Sequence, residues 1–399
     1  MSERRVHLGD YAASASGAFS AGPFGSSVSS KHFVPSGLPM IRGSNLSFDV
    51  GTRLDEREFV YLPEEYAARF ERSLVREGDL VFTCWGSVGQ IGLIGGGRHV
   101  EYMISNKQMK MTPDRALVDS TFLYYYLSQP TMIALVQGSA IGSSVPGFNL
   151  GQLKSLPVTI PAMPRQRAIA RVLSALDDKI EANRRLAVTA DELAHLRFRM
   201  MVRGSEAYVP LSATARFING KAFTKNATGS GRVVIRIAEM NSGLGSSTVR
   251  NDLDVHDDHL ARPGDLLFAW SGSLTLARWY RDEGIVNQHI FKVIPNEGYP
   301  LWLVNQLIRF KLEEFRAIAA DKATTMGHIQ RRHLDEAVTI PDAGRIVTED
   351  KLMSNLWKRA LAAEVETERL IAMRDTLLPK LMSGDLRVRE AEAAVAEAV

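Results

Sequence analysis

This chain repeats itself, so whatever fold it adopts must be built twice. REGDLVFTCWGSVG at 76–89 has a counterpart in RPGDLLFAWSGSL at 262–274. Gly78-Asp79-Leu80 answers Gly264-Asp265-Leu266, Phe82 answers Phe268, and Gly86-Ser87 answers Gly272-Ser273. ISNKQMKM at 104–111 answers IVNQHIFKV at 285–293, which sets Asn106 against Asn287. VPGFNLGQLKSLPVTIP (145–161) then answers TMGHIQRRHLDEAVTIP (325–341), with Gly147 over Gly327 and identical VTIP endings. Matched blocks in one order, about 180 residues apart, make a duplication.

Each copy has two parts. The first, 1–163 and 205–345, mixes short apolar runs with glycine-rich turns. DLVFTCW, IGLIGG, DLLFAW and HIFKVI have strand length and composition, whereas 122–136 and 299–319 read as helices. GLIGGGRH at 92–99 reads as a hairpin turn. The second part is helical. Segment 164–204 opens at Pro164, and its positions 169, 173, 176, 180, 183, 187, 190 and 194 step by four and three. That is a heptad seam, with Asn183 and alanines in its second half. Segment 346–386 repeats the pattern from Leu352 to Leu377, with Pro379 near its end and Gly384 as a stop. At ~1.5 Å per residue these helices would be roughly 50–60 Å long. Small seam residues and Asn183 favour close antiparallel packing, a coiled-coil spacer between two α+β units. The Ala/Glu-rich tail, 387–399, is expected to fray.

With 399 residues and 45% hydrophobic content the chain is globular, and ~100–200 residues per domain predicts two or three. No apolar run reaches the ~18 residues of a membrane span, and no signal-peptide core follows Met1, so a cytoplasmic protein is expected. Cys84 stands alone, which forbids an internal disulfide and a thiolate zinc site. A net charge of +3 permits DNA binding without demanding it.

Catalytic signatures are missing. There is no Asn-Pro dipeptide for a methyltransferase tetrad, no Walker loop around Gly220-Lys221, no GxGxxG and no GxSxG. The densest acid/His cluster is NDLDVHDDHL at 251–260. Its spacing fits neither HExxH nor a calcium loop, so it reads as a solvated loop rather than a metal or nuclease site. No catalytic residue and no metal ligand is assigned.

The duplicated Gly-Asp-Leu strands resemble those of type I restriction–modification specificity subunits. So does the run from Pro161 through Gln166, Arg167, Ile169, Ala170, Leu173, Leu176, Asp177, Lys179, Ile180 and Asn183. LLPKLMSGDLRV at 377–388 resembles the family's C-terminal signature, whereas DAGRIVTEDKLMSNLWKRA lacks the Gln-Arg of the first copy. The resemblance covers about 1–385 and implies the following. The chain is a non-catalytic subunit whose two α/β target-recognition domains (1–163 and 205–345) each read half of a bipartite, asymmetric double-stranded DNA site. The helices (164–204 and 346–386) set the gap between half-sites. Two methyltransferase subunits dock on it and carry S-adenosylmethionine for adenine-N6 methylation. Two restriction subunits, where present, use ATP and Mg²⁺. Alternatives are a specificity module of a methylation-only or other phage-defence complex, a nuclease using the 252–259 acids, and a duplicated protein-binding scaffold.

Base readers are polar side chains on loops, Arg for guanine and Asn or Gln for adenine. In the first copy these are Arg42, Ser44, Asn45, Trp85, Ser87, Asn106, Lys107 and Gln108. In the second they are Arg236, Asn241, Trp270, Ser271, Ser273, Asn287, Gln288 and His289, with Lys221 and Lys225 as phosphate contacts. Trp85 and Trp270 fit the core better than base stacking, and Asn106 and Asn287 also suit turn caps. Arg167, Arg171, Arg184 and Arg185 are candidates for partner docking on the helix surface.

Overall fold

The computed structural model describes residues 6–141, 147–321 and 327–398. They divide into two compact units, Met1–Asp178 with Ile371–Val399, and Lys179–Leu370.

In the first unit the strands are β1 (Val6–His7), β2 (Phe19–Ala21), β3 (Leu38–Ile41), β4 (Val60–Leu62), β5 (Leu74–Arg76), β6 (Leu80–Thr83), β7 (Ile91–Leu93), β8 (Glu101–Ile104), β9 (Gln108–Met111) and β10 (Pro157–Val158). One antiparallel sheet has the order β2-β9-β6-β7. A second has the order β4-β3-β8-β5, in which β3 and β8 run parallel. β1 pairs with β10 and joins the two ends of the copy. The second unit repeats this strand for strand: β11 (Tyr208–Pro210), β12 (Ala215–Asn219), β13 (Arg232–Ile235), β14 (Arg250–Asn251), β15 (Leu260–Ala261), β16 (Leu266–Ala269), β17 (Leu276–Arg278), β18 (Gly284–Val286), β19 (Ile290–Pro295) and β20 (Ala337–Thr339). Its sheets are β12-β19-β16-β17 and β14-β13-β18-β15, and β11 pairs with β20.

The repeated Gly-Asp pair has a local cause. Gly78 and Gly264 have φ of 92° and 101°, which glycine adopts without strain. The following carboxylate accepts the backbone N–H three residues back, Asp79 from Arg76 and Asp265 from Arg262, each at 2.9 Å. This turn carries the chain from one sheet to the other, β5 to β6 and β15 to β16. A buried lysine supports it: Lys110 Nζ donates to the Leu74 carbonyl and Lys292 Nζ to that of Leu260, both at 2.6 Å. Every residue of β6 and β16 is buried, so these strands read as unbroken apolar runs.

Strand pairing corrects the alignment read from sequence by one residue in two places. Ile104 and Val286 hold equivalent positions beside β3 and β13, as do Lys107 and His289, whose carbonyls accept from Cys84 and Trp270. Asn106 therefore matches Gln288, and Asn287 matches Ser105. Likewise Trp85 bridges Gly147 and Ser271 bridges His328, so Gly147 matches His328 rather than Gly327. The outer ends of that block, 145–146 and 325–326, lie outside the described residues.

Segment 122–136 is two helices, Ser120–Leu127 and Pro130–Gly138, parted where Pro130 starts the second. GLIGGGRH is not a hairpin, because β7 and β8 belong to different sheets. The tail also differs from expectation: Val388–Ala398 is helical, with Ala391 buried and the Arg387 N–H donating to Glu390 Oε2.

Met163–Val202 and Ala343–Ser383 are the two long helices. All eight seam positions of the first, from Ile169 to Ala194, are buried. In the second unit Ala187 and Ala190 pack on Ala360 and Ala363, and Asn183 Nδ2 donates to Glu366 Oε2 at 2.9 Å. Rising numbers on one helix meet falling numbers on the other, so the pair is antiparallel. In the first unit Arg374, almost wholly buried, binds Asp177 of the first helix at 2.9 Å and Asp49 of the recognition fold at 3.2 Å. Tyr125 Oη also donates to Asp177, at 2.5 Å. Substitution R374M strands a buried carboxylate and is expected to cost ~3–5 kcal/mol in urea denaturation. The double variant R374M/D177N is expected to lose clearly less; an equal loss would show that the stranded charge is not the cause.

Candidate nucleic-acid interface

In the first copy a cleft of about 420 Å³ opens between loops from four separate segments. Arg42 and Ser44 follow β3, Trp85 and Ser87 follow β6, and Asn106 and Lys107 form the turn between β8 and β9. Val28, Phe33 and Met40 supply its apolar lining. Six of the eight sequence candidates of this copy thus share one concavity. Trp85, expected in the core, is 49% exposed, its ring against Gly147 where any Cβ would collide with it.

Asn45 and Gln108 are buried beneath. Asn45 Oδ1 accepts from the Arg42 N–H at 2.9 Å and its Nδ2 donates to the Asp55 carbonyl. The Gln108 amide reaches the Ser105 hydroxyl and, suitably turned, the backbone of Ile41 and Gly43. Both shape the loops that carry Arg42 and Ser44. Arg42 donates through Nη2 to the Glu58 carbonyl, while its buried Nε has no partner among the described residues.

The second copy uses the same sites differently. The place of Asn45 is taken by Glu239, which accepts the Arg236 N–H at 3.0 Å and binds its guanidinium at 2.6 Å. Burial opposes ionisation of Glu239, but the hydrogen bonds from Arg236 hold it below the usual glutamate range. Asn241 is exposed and joins Ser273 (2.9 Å) and Thr275 (2.5 Å). Asn287 is buried, its Oδ1 accepting the Phe223 N–H at 3.1 Å; Gln288 and His289 form the exposed turn. Trp270 is half-buried, donates to Asn219 at 2.7 Å and lies 4.9 Å from the His289 ring. Ser271 is buried and its hydroxyl has no partner among the described residues. Lys221 and Lys225 are exposed on the loop after β12.

The acidic cluster does not converge. Asp257 pairs with Arg262 (2.6 Å), Asp258 with Arg216 (3.2 Å) and Asp252 with Ser230 (2.7 Å). The hydrogen bond from Arg262 holds Asp257 below the usual range. Burial pushes the Cys84 thiol up to about 11, so it stays protonated at neutral pH and is a poor nucleophile.

On the first long helix Arg167, Arg171 and Arg185 are exposed; Arg185 pairs with Glu181, and Arg184 is half-buried. Sequence reasoning missed the neighbouring feature. Leu186, Leu193, Leu196 and Met200 are exposed and step by seven, three and four. At ~100° per residue they share one side of the helix with Arg185, away from the buried seam. Their heptad spacing was the available signal, hidden by the stronger seam.

His289 has φ of 73°, a region that costs a side chain ~1–2 kcal/mol. Substitution H289G is expected to leave thermal stability unchanged or raised while weakening DNA retention. A marked fall in stability would show the ring to be structural.

Residues 50–190 match the type I restriction modification DNA specificity domain. The EcoBI specificity subunit of Escherichia coli is 26% identical over 151 residues, 37% of this chain and 31% of that subunit. This chain thus spans about a third of the E. coli subunit's length. The MjaIX specificity subunit of Methanocaldococcus jannaschii is 23% identical over 315 residues, 68% of this chain and 70% of that one. The solved structure of a type I restriction–modification S subunit from M. genitalium shares the fold, with TM-score 0.61, 14% identity and 95% of each chain covered. The resemblance to type I specificity subunits is borne out.

Proposed function

We propose that this chain, resembling type I specificity subunits in motif, family match and fold, is the DNA-sequence specificity subunit of a type I restriction–modification complex. Its two recognition domains read the two halves of a bipartite, asymmetric site. The observation that carries this reading is the cleft: Arg42, Ser44, Trp85, Ser87, Asn106 and Lys107 converge there from three segments, on a scaffold repeated in the second copy. Guanidinium, amide and hydroxyl groups on loop tips are the donors and acceptors that base edges require. Lys221 and Lys225 would neutralise phosphates in the second half-site.

Catalysis belongs to partners. Methyltransferase subunits carry S-adenosylmethionine to adenine N6, and restriction subunits, where present, carry ATP and Mg²⁺. The docking surface on this chain is the exposed face of the first long helix, with Leu186, Leu193, Leu196 and Met200 beside Arg185. Contiguous exposed apolar residues on a folded chain mark an interaction site. The helices fix the gap between half-sites.

A methylation map of DNA from cells expressing the methyltransferase subunit with and without this chain tests the reading. A bipartite motif with one methylated adenine per half, present only with this chain, is expected. Exchange of 1–163 for another recognition domain is expected to change one half only. If the subunits co-purify and no motif depends on this chain, it is a protein-binding scaffold. Replacing Leu193 and Leu196 by serine is expected to abolish co-purification without lowering the stability of this chain.

A further inference from the structure

The cleft has a neighbour that neither base-edge reading nor phosphate binding uses. Phe24 is 94% exposed, the most exposed of the large apolar side chains among the described residues, on the loop that follows β2. Isolated surface apolar groups are ordinary. This one is held in place. Gly22 packs so tightly on the β8–β9 turn that a Cβ would lie 1.9 Å from the Ser105 carbonyl oxygen. Pro23 is buried. Gly25 takes φ of 58°, and its carbonyl accepts Asn106 Nδ2 at 3.3 Å. The backbone on either side of Phe24 is therefore fixed against the β8–β9 turn and Asn106, a residue that lines the cleft together with Val28 and Phe33.

The second copy keeps the anchor and changes the tip. A Cβ on Gly220 would likewise lie 2.1 Å from the Asn287 carbonyl oxygen, and strand register places Ala222 where the first copy has Phe24. Exposed Lys221 and Lys225 flank it. One scaffold thus offers an aromatic wedge in one copy and cations in the other.

We propose that Phe24 is an apolar wedge that inserts between base pairs of the half-site read by the first recognition domain, unstacking one step. The second domain has no such wedge, and at the same place Lys221 and Lys225 neutralise phosphates beside its base readers. An exposed ring beside polar base readers is the arrangement by which proteins kink a duplex, the unstacking cost being offset by ring–base stacking. This inference rests on the proposed DNA-reading function.

The test uses the full chain in complex with its methyltransferase subunit and duplexes carrying the mapped motif, with 2-aminopurine at successive positions of each half-site. Away from the methylated adenines and the positions beside them, where extrusion of the target base itself raises the signal, fluorescence is expected to rise at one step of the first half-site with the native complex, and at none in the second. F24A is expected to abolish that rise and weaken binding roughly tenfold, the scale of one lost aromatic–base stack, whereas F24W retains both. Because the ring is solvated, F24A is expected to leave the melting temperature unchanged. K221A/K225A is expected to flatten the salt dependence of binding and leave the fluorescence intact. A native complex that binds its motif with no fluorescence rise, or F24A that keeps it, overturns the wedge but not DNA reading. F24A that impairs assembly with the methyltransferase subunit instead assigns the ring to a protein contact and also overturns the wedge. No motif-specific binding by the native complex overturns both.

Discussion

Buried guanidinium groups are the constraint on which each unit depends. Arg374 joins the second long helix to Asp177 of the first and to Asp49 of the recognition fold. In the other unit the roles are exchanged: Arg278 at the end of β17 meets Asp191 of the first helix at 3.1 Å and Glu364 of the second at 2.7 Å, over the Trp357 ring. A buried cation left unpaired is costly, so sheet and helices stabilise one another through these groups. The planar fork also fixes angle as well as distance, which apolar packing alone does not. Each recognition fold is thereby held to its section of the helix pair as one body.

What the duplication preserves is scaffold rather than surface. The Gly-Asp turns, the buried Lys110 and Lys292, the tight approach of Gly22 and Gly220, and the caps closed by Asn45 and Glu239 recur in both copies. All are buried or backbone-directed. The exposed tips do not recur: Asn106-Lys107 faces Gln288-His289, Trp85 stands where Ser271 does, and Phe24 where Ala222 does. The proposed reading of two unlike half-sites requires that division.

The parts legible in the sequence were those with a period. The heptad seam located eight buried positions because a helix repeats its contacts every three and four residues. The central strands were legible because both their faces are covered. Register between the copies was not, since a one-residue offset leaves composition nearly unchanged and only strand pairing reveals it. Hence Asn287 proved to be a buried turn-holder rather than the counterpart of Asn106. Asn45 and Gln108 failed to show themselves as supports for the same reason: a buried amide satisfying backbone groups and an exposed one facing a base are the same letter. Convergence of Arg42, Trp85 and Asn106 on one cleft is a tertiary fact that sequence spacing does not encode.

The helix pair carries a last piece of physics. The centre of its buried seam in the second unit is alanine, whereas another face of the first helix exposes leucines and a methionine. At ~25 cal/mol per Å² a chain made to fold alone would gain more by placing the larger side chains inward. Here polar links such as Asn183–Glu366, Lys179–Glu366 and Arg197–Glu349 supplement the thin apolar contact instead. Alanine lets two backbones approach closely, and the polar links fix register between them. Leu186, Leu193, Leu196 and Met200 lie outside that seam, and in the proposed complex a docked partner would remove them from water.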